Sequence, residues 1–186
     1  MQQFVEWLTL AFVAVSAFHA WKTGRGALFA FLLAAGLVRE NFVALREILY
    51  GFASLSLNFG KAPAMAAVIW AYSIYAALVW AEHIRPHIQA AARIALACLF
   101  MVALVPFYEP FLAALEMARW EDGTRMTAGI PWIALIGYPT FTLILLALYE
   151  RFENRPGSWP SLVLGTLLGA IGHAWGLQEL KNLLGW

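Results

Sequence analysis

Charge is scarce in this sequence: 12% of its 186 residues are Asp, Glu, Lys or Arg, and the formal net charge is +1. So small a net charge gives no electrostatic basis for a nucleic-acid partner. Cysteine is scarcer still. The single Cys98 excludes an intrachain disulfide and a cysteine-built metal site. Its place in an apolar run makes it a small buried hydrophobe rather than a nucleophile. The first twenty residues lack a basic leader and a small-residue cleavage site, and Glu6 sits among them; they read as a first spanning helix rather than a removed signal peptide. Repeated-histidine boxes of the membrane di-iron desaturase kind are missing, which argues against oxygen-dependent chemistry. No His/Asp/Glu cluster has metal-site spacing, so no metal is expected. Nor is there an internal repeat, a low-complexity linker or a soluble domain. Residues 1–186 are expected to form one integral membrane domain.

What the chain does have is apolar surface, with 62% hydrophobic residues and a mean hydropathy of +0.71. A soluble globule of this size has no way to hide that much, because its outer shell must be largely polar. Lipid removes the difficulty. Apolar stretches recur at the roughly 17–25 residues needed to cross a hydrocarbon core about 30 Å thick, and they are rich in Ala and Leu without strand-like alternation. The expected fold is all-α: a polytopic transmembrane bundle of about six spanning helices, placed most simply in a bacterial inner membrane.

The helices are expected from Phe4 to Trp21, Ala27 to Tyr50, Pro63 to His83, a segment continuing towards Pro106, Ile130 to Tyr149, and Pro160 to Leu177. Between them lie polar turns: Trp21 to Gly26, a connection with Ser54, Ser56, Asn58 and Gly60, Glu82 to His87, and Glu150 to Pro156-Gly157. Pro63 suits the first turn of a helix. The stretch from Tyr108 to Ala128 is too polar to span and is assigned to an interface, part of it as an amphipathic helix between helices four and five. The balance of Lys and Arg between the two sides leans towards both termini lying outside the cytoplasm.

Arg39 and Glu40 fall near the middle of the second helix, where each charge costs at least about 2.5–3.5 kcal/mol. Arg46 and Glu47 repeat the pair seven residues later, on nearly the same face. That face must point into the bundle. Two accounts stand for Glu40: a buried carboxyl that donates a proton, or, with Arg39, Arg46 and Glu47, a set of structural ion pairs fixing helix register. His173 follows Gly165 and Gly169 on one face and either orients a polar ligand or serves as a hydrogen-bonded packing residue, the commoner role. His19, His83 and His87 sit at helix ends. Trp21, Trp80, Trp159 and Trp186 look like interfacial anchors. Trp70, Tyr72 and Tyr75 lie well inside helix three, where they either pack towards lipid or line an apolar channel and stabilise a developing cation.

The stretch from Arg93 to Tyr138 carries Glu109-Pro110, Trp120, Gly129-Ile130-Pro131 and Gly137-Tyr138. In that order it resembles a family of carotenoid-biosynthesis membrane proteins that includes carotenoid 1′,2′-hydratases. Upstream, Glu40, Tyr50, Pro63, Trp70 and Tyr75 are similar to the family's earlier half, so the likeness covers about half of the chain. There are departures: Ala134 stands where the pattern has asparagine, Tyr138 where it has tryptophan, and Ala118 where a second tryptophan flanks the loop.

The resemblance implies water addition to the terminal carbon–carbon double bond of an acyclic carotene, with no redox cofactor. In that scheme Glu40 is the proton donor and Glu109 positions or deprotonates the water. Tyr50, Trp70, Tyr75 and Trp120 shape the apolar end of the site and shield the cation, and His173 lines it. The expected partners are the bilayer and an apolar isoprenoid-like substrate, with room for an oligomer or complex. Two other readings remain: a non-enzymatic subunit scaffolding a larger membrane complex, and, less favoured, a small transporter. A long apolar tunnel ending at Glu40 or Glu109 would favour the enzyme, and a solid bundle the scaffold.

Overall fold

The computed structural model describes residues 2–52, 58–114, 116, 118–153, 155 and 159–186; Ser54, Ser56 and the Pro156-Gly157 pair lie outside these. Six helices carry the fold: α1 (Gln2–Lys22), α2 (Gly26–Arg46), α3 (Ala64–Ile84), α4 (Ala90–Ala114), α5 (Trp132–Phe152) and α6 (Trp159–Leu184). All six are long and apolar enough to cross a membrane. Large apolar side chains such as Trp7, Phe18, Phe107 and Leu168 stand exposed on their outer faces, as lipid allows and water does not. The protein is an all-α bundle with the architecture of a multi-pass membrane protein. Trp21, Trp80 and Trp159 are exposed at helix ends as anticipated, whereas Trp186 packs against Trp132.

Three expectations need correction. First, α2 ends at Arg46 and not near Tyr50. Glu47 adopts the left-handed conformation and its neighbour Ile48 returns its N–H to the Val43 carbonyl at 3.3 Å, which closes the helix. Arg46 and Glu47 therefore lie exposed at the helix end, with Arg46 over the Trp175 ring. They do not form the second buried ion pair.

Second, α4 runs through Pro106 and Pro110 to Ala114. A spanning helix tolerates such prolines when its neighbours satisfy the freed carbonyls. Glu109, expected at an interface, is consequently inside the bundle and only 5% exposed.

Third, the described part of the segment before α5 holds no helix. Short strands replace the expected interfacial one: β4 (Ala118–Trp120), β5 (Met126–Thr127) and β6 (Ile130–Pro131). β5 and β6 pair across Ala128-Gly129, both at positive φ, the geometry of a tight two-residue hairpin. Such a turn is built from local backbone chemistry that charge counting does not register.

A matching arrangement follows α2, with β1 (Tyr50–Phe52), β2 (Asn58–Phe59) and β3 (Ala62–Pro63). β2 and β3 pair around Gly60. The Asn41 side chain pins this hairpin to α2 by accepting from the backbone N–H of Lys61 at 2.8 Å and of Ala62 at 3.3 Å. The pairing that matters most is non-local. β1 and β4 run antiparallel with Tyr50 opposite Trp120, so the two long connections at one end of the bundle are stitched together over it. The C-terminal part of α6 holds the stitch in place. Gln178 accepts from the Leu49 N–H at 2.9 Å, and the buried Lys181 pairs with Glu121, whose own N–H donates to the Leu49 carbonyl.

Helix contact relies on glycine at particular points. A Cβ on Gly36 would stand 2.7 Å from the Ala67 carbonyl oxygen, against the backbone of α3, whereas one on Gly172 would meet nothing. Gly165 and Gly169 face Leu148 and Ile144 of α5, the close approach expected of that face. Gly36→Ala is expected to destabilise the protein by about 1–3 kcal/mol through overpacking. Gly172→Ala, which only removes a helical glycine, should be neutral or stabilising by up to about 1 kcal/mol. Thermal unfolding of both variants in the same detergent tests this; equal melting temperatures would sink the close-approach argument.

Candidate functional site

The end of the bundle beneath β1 and β4 gathers the deep polar groups. Arg39 and Glu40 come from α2, Trp70 from α3, Glu109 from α4, Tyr138 from α5 and His173 from α6. The strand pair adds Tyr50 and Trp120 from above. Each strand thus carries an aromatic hydrogen-bonding group to one of the two carboxyls.

Glu40 is saturated. It forms an ion pair with its neighbour Arg39, accepts from Trp70 Nε1 at 2.6 Å, and accepts from the Tyr50 hydroxyl at 2.9 and 3.1 Å. Tyr50 in turn accepts from Arg39 at 2.5 Å. Burial pushes the Tyr50 phenol above its usual range despite the guanidinium beside it, so it remains a proton-bearing donor to Glu40. Arg39 also lies over the rings of Trp70 at 4.9 Å and Phe141 at 5.4 Å, aromatic faces that suit a desolvated cation.

His173 completes the Arg39 shell. Arg39 Nε donates to His173 Nδ1 at 3.3 Å. Because a guanidinium nitrogen only donates, Nδ1 must accept, which leaves the proton on Nε2. That atom lies 3.1 Å from the Gly137 carbonyl and 3.0 Å from Thr140 Oγ1, both able to accept. The ring also stacks on Phe141, with centroids 4.9 Å apart. His173 therefore accepts from Arg39 and positions it.

Glu109 differs in kind. Its two oxygens accept from Trp120 Nε1 at 2.7 Å and from the Tyr138 hydroxyl at 2.8 Å. Both donors are neutral, and among the described residues no salt bridge reaches it. The two carboxyls thus share one site under opposite conditions, one charge-paired and one not.

Between them lies a pocket of about 60 Å³, lined by Arg39, Glu40, Tyr50, Trp70, Glu109, Trp120 and Tyr138 at its polar end and by Met65, Ile69 and Leu112 among its apolar residues. That volume holds a few waters or the branched end of a hydrocarbon chain. It is neither the long tunnel nor the solid bundle set out as alternatives. Among the described residues, no three of His, Cys, Asp and Glu come together as a metal site.

Of the residues picked from the sequence, Glu40, Glu109, Tyr50, Trp70 and Trp120 line this pocket, with Arg39 beside them. His173 stands behind Arg39. Tyr75 does not belong. It comes five residues after Trp70, about 140° further round the helix, and its hydroxyl bonds His19 Nδ1 at 2.8 Å instead. Tyr72 is likewise taken up elsewhere, by Tyr108 at 2.8 Å. Reading the sequence for ionisable residues missed the roles of Tyr138, Thr140 and Phe141. Tyr138 had a signal, its place in the Gly-aromatic pair; Phe141 had none.

Comparison with protein-family models, with curated proteins and with solved structures returns no match to this chain.

Replacing one partner of a buried ion pair strands the other charge, at about 3–5 kcal/mol, whereas replacing both with apolar groups costs far less. Arg39→Met alone is therefore expected to lower stability more than Arg39→Met combined with Glu40→Leu. Denaturation of the two variants side by side checks the order; a double variant less stable than the single one would show that Arg39 and Glu40 do not act as a compensated pair.

Proposed function

We propose that the protein is a membrane-embedded enzyme that modifies an isoprenoid lipid by acid–base chemistry. The most specific form of this reading is hydration of the terminal carbon–carbon double bond of an acyclic carotene, in a bacterial inner membrane. The observation that carries it is the pair of buried carboxyls in unlike surroundings on one small pocket. Such a difference in environment is what separates an acid from a base.

The surroundings favour assigning the two roles the other way round from the sequence-based expectation. Glu40, balanced by Arg39 and fed by Tyr50 and Trp70, is placed to take up a proton. Glu109, held by two neutral donors with no salt bridge reaching it among the described residues, is placed to give one. The Glu109 carboxyl gives that proton to the less substituted alkene carbon. The π electron pair forms the new C–H bond and leaves a cation on the tertiary carbon, facing the rings of Trp70, Trp120 and Tyr138. A lone pair of water forms the C–O bond, and the oxonium passes its proton to Glu40. The cycle closes when that proton returns to Glu109 through the water of the pocket. The net change is addition of one water, with no oxidant or reductant consumed.

A pocket of this size takes only the end of the substrate, so the rest of the chain lies outside it, along the apolar side towards Met65, Ile69 and Leu112. The rival scaffold reading draws on the broad apolar outer faces of α1 and α6, which suit lipid and protein neighbours equally.

The test is expression in bacteria that accumulate lycopene, followed by pigment analysis. A hydroxylated carotene is expected from the wild type, and Glu109→Gln and Glu40→Gln should each lower its yield by at least about 100-fold. Tyr138→Phe, which removes one donor to Glu109, should slow turnover by about tenfold or more, whereas Tyr75→Phe should not. Unchanged pigment with well-folded protein would favour the scaffold.

A further inference from the structure

Hydration of a lipid needs two reactants that do not mix, and a pocket lined by Met65, Ile69 and Leu112 accounts for only one of them. The other side of the β1–β4 pair has a different character. Outside it lies an open vestibule of about 1080 Å³, lined by Gly51, Glu116, Arg119, Glu121, Asp122, Thr124 and neighbouring residues. Charged side chains of both signs make this groove a place for water, not for a hydrocarbon. Three residues line both the vestibule and the inner pocket: Phe52, Ala118 and Trp120. Among the described residues, the wall between them is a single pair of short strands.

We infer that this vestibule is the route by which water and protons reach the two carboxyls, through the partition formed by Phe52, Ala118 and Trp120, while the hydrocarbon arrives on the α3–α4 side. The inference rests on the hydration reading for its purpose. Trp120 is well placed to couple the two compartments. Its ring stacks edge-on with Tyr50 at 4.8 Å, and its indole N–H holds Glu109, so a water that passes this ring arrives at the group to be reprotonated. Ala118, opposite Phe52 in the ladder, has the smallest side chain of the three residues that line both compartments. The strands themselves stay anchored while the wall is crossed, because Gln178 and Lys181 of α6 grip Leu49 and Glu121 on the far edge. Separate entry keeps bulk water away from the cation except along a defined line of attack.

The test is thiol labelling in nanodiscs, where both membrane faces can be reached, in a Cys98→Ala background. Single cysteines are placed at Gly51, Ala118 and Ile69 and treated with the charged reagent 2-sulfonatoethyl methanethiosulfonate. A side chain at Gly51 meets nothing within 4 Å and serves as the vestibule control. Gly51→Cys is expected to react fastest, Ala118→Cys within about tenfold of it, and Ile69→Cys at least about 100-fold more slowly, since attack needs a hydrated thiolate. If Ala118→Cys fails to fold, Phe52→Cys reports on the same wall. An Ala118→Cys rate no higher than that of Ile69→Cys would overturn the route, and so would equal, fast labelling at all three positions. The rates are read without substrate. A protein that labels as expected but makes no hydroxylated product would remove the hydration reading and leave the water route standing.

Discussion

Everything at the polar end of this bundle depends on how one buried guanidinium is compensated. Arg39 sits where lipid-embedded charge is expensive, and it is matched on every side. Glu40 and Tyr50 take its NH1 group, His173 takes Nε, and the rings of Trp70 and Phe141 cover its faces. These partners come from α2, β1, α6, α3 and α5. A charge that must find its partners on five elements fixes their relative positions more tightly than apolar packing does, because apolar surfaces slide with little penalty where lipid is the alternative solvent. The imidazole of His173 takes its orientation from the same source, since Arg39 dictates which of its nitrogens bears the proton.

At the opposite end of the bundle charge is handled differently. Arg25, Glu82, Arg93 and Glu150 form a chain of ion pairs that joins the starts of α2 and α4 to the ends of α3 and α5. Their side chains are 21–35% exposed, so water shares the work and each pair contributes little on its own. That network has the look of a clasp. The inner cluster is buried and built on aromatic donors, and it lines a pocket. The ion-pair network borders an open pocket of about 160 Å³; the smaller inner pocket is the one whose carboxyls are held by aromatic donors.

How much of this was legible beforehand follows from what each signal depends on. Six helices follow from the length and apolarity of the segments, which are properties of the local sequence; the buried Arg39-Glu40 pair follows from the cost of charge in lipid. Glu109 is marked by its proline, but its depth does not follow from the sequence, because the polar run from Tyr108 onwards points to an interface, whereas α4 continues through Pro106 and Pro110, which neighbouring helices in a bundle tolerate. The β1–β4 pair was out of reach. Tyr50 and Trp120 are seventy residues apart, and strands of three residues leave no alternating pattern to read. Repetition misled at Arg46-Glu47: the same two residue types seven positions on suggested the same role, but α2 ends there and the second pair lies in the open. Tyr75 failed for the plainer reason that it faces another way.

The balance between enzyme and scaffold turns on Glu109 more than on Glu40. A scaffold can justify Arg39 and Glu40, which together are neutral and lock helices in register. It has less use for a further carboxyl held by Trp120 and Tyr138 on the wall of a cavity, with no cation paired to it among the described residues. A glutamine there would accept from Trp120 through its carbonyl oxygen and donate its amide N–H to the Tyr138 hydroxyl, without the cost of an ionisable group. What glutamine lacks is a proton that can leave and return. A carboxyl without a paired cation among the described residues, kept beside a charge-balanced one on one small pocket, is the arrangement from which the enzyme proposal draws its support.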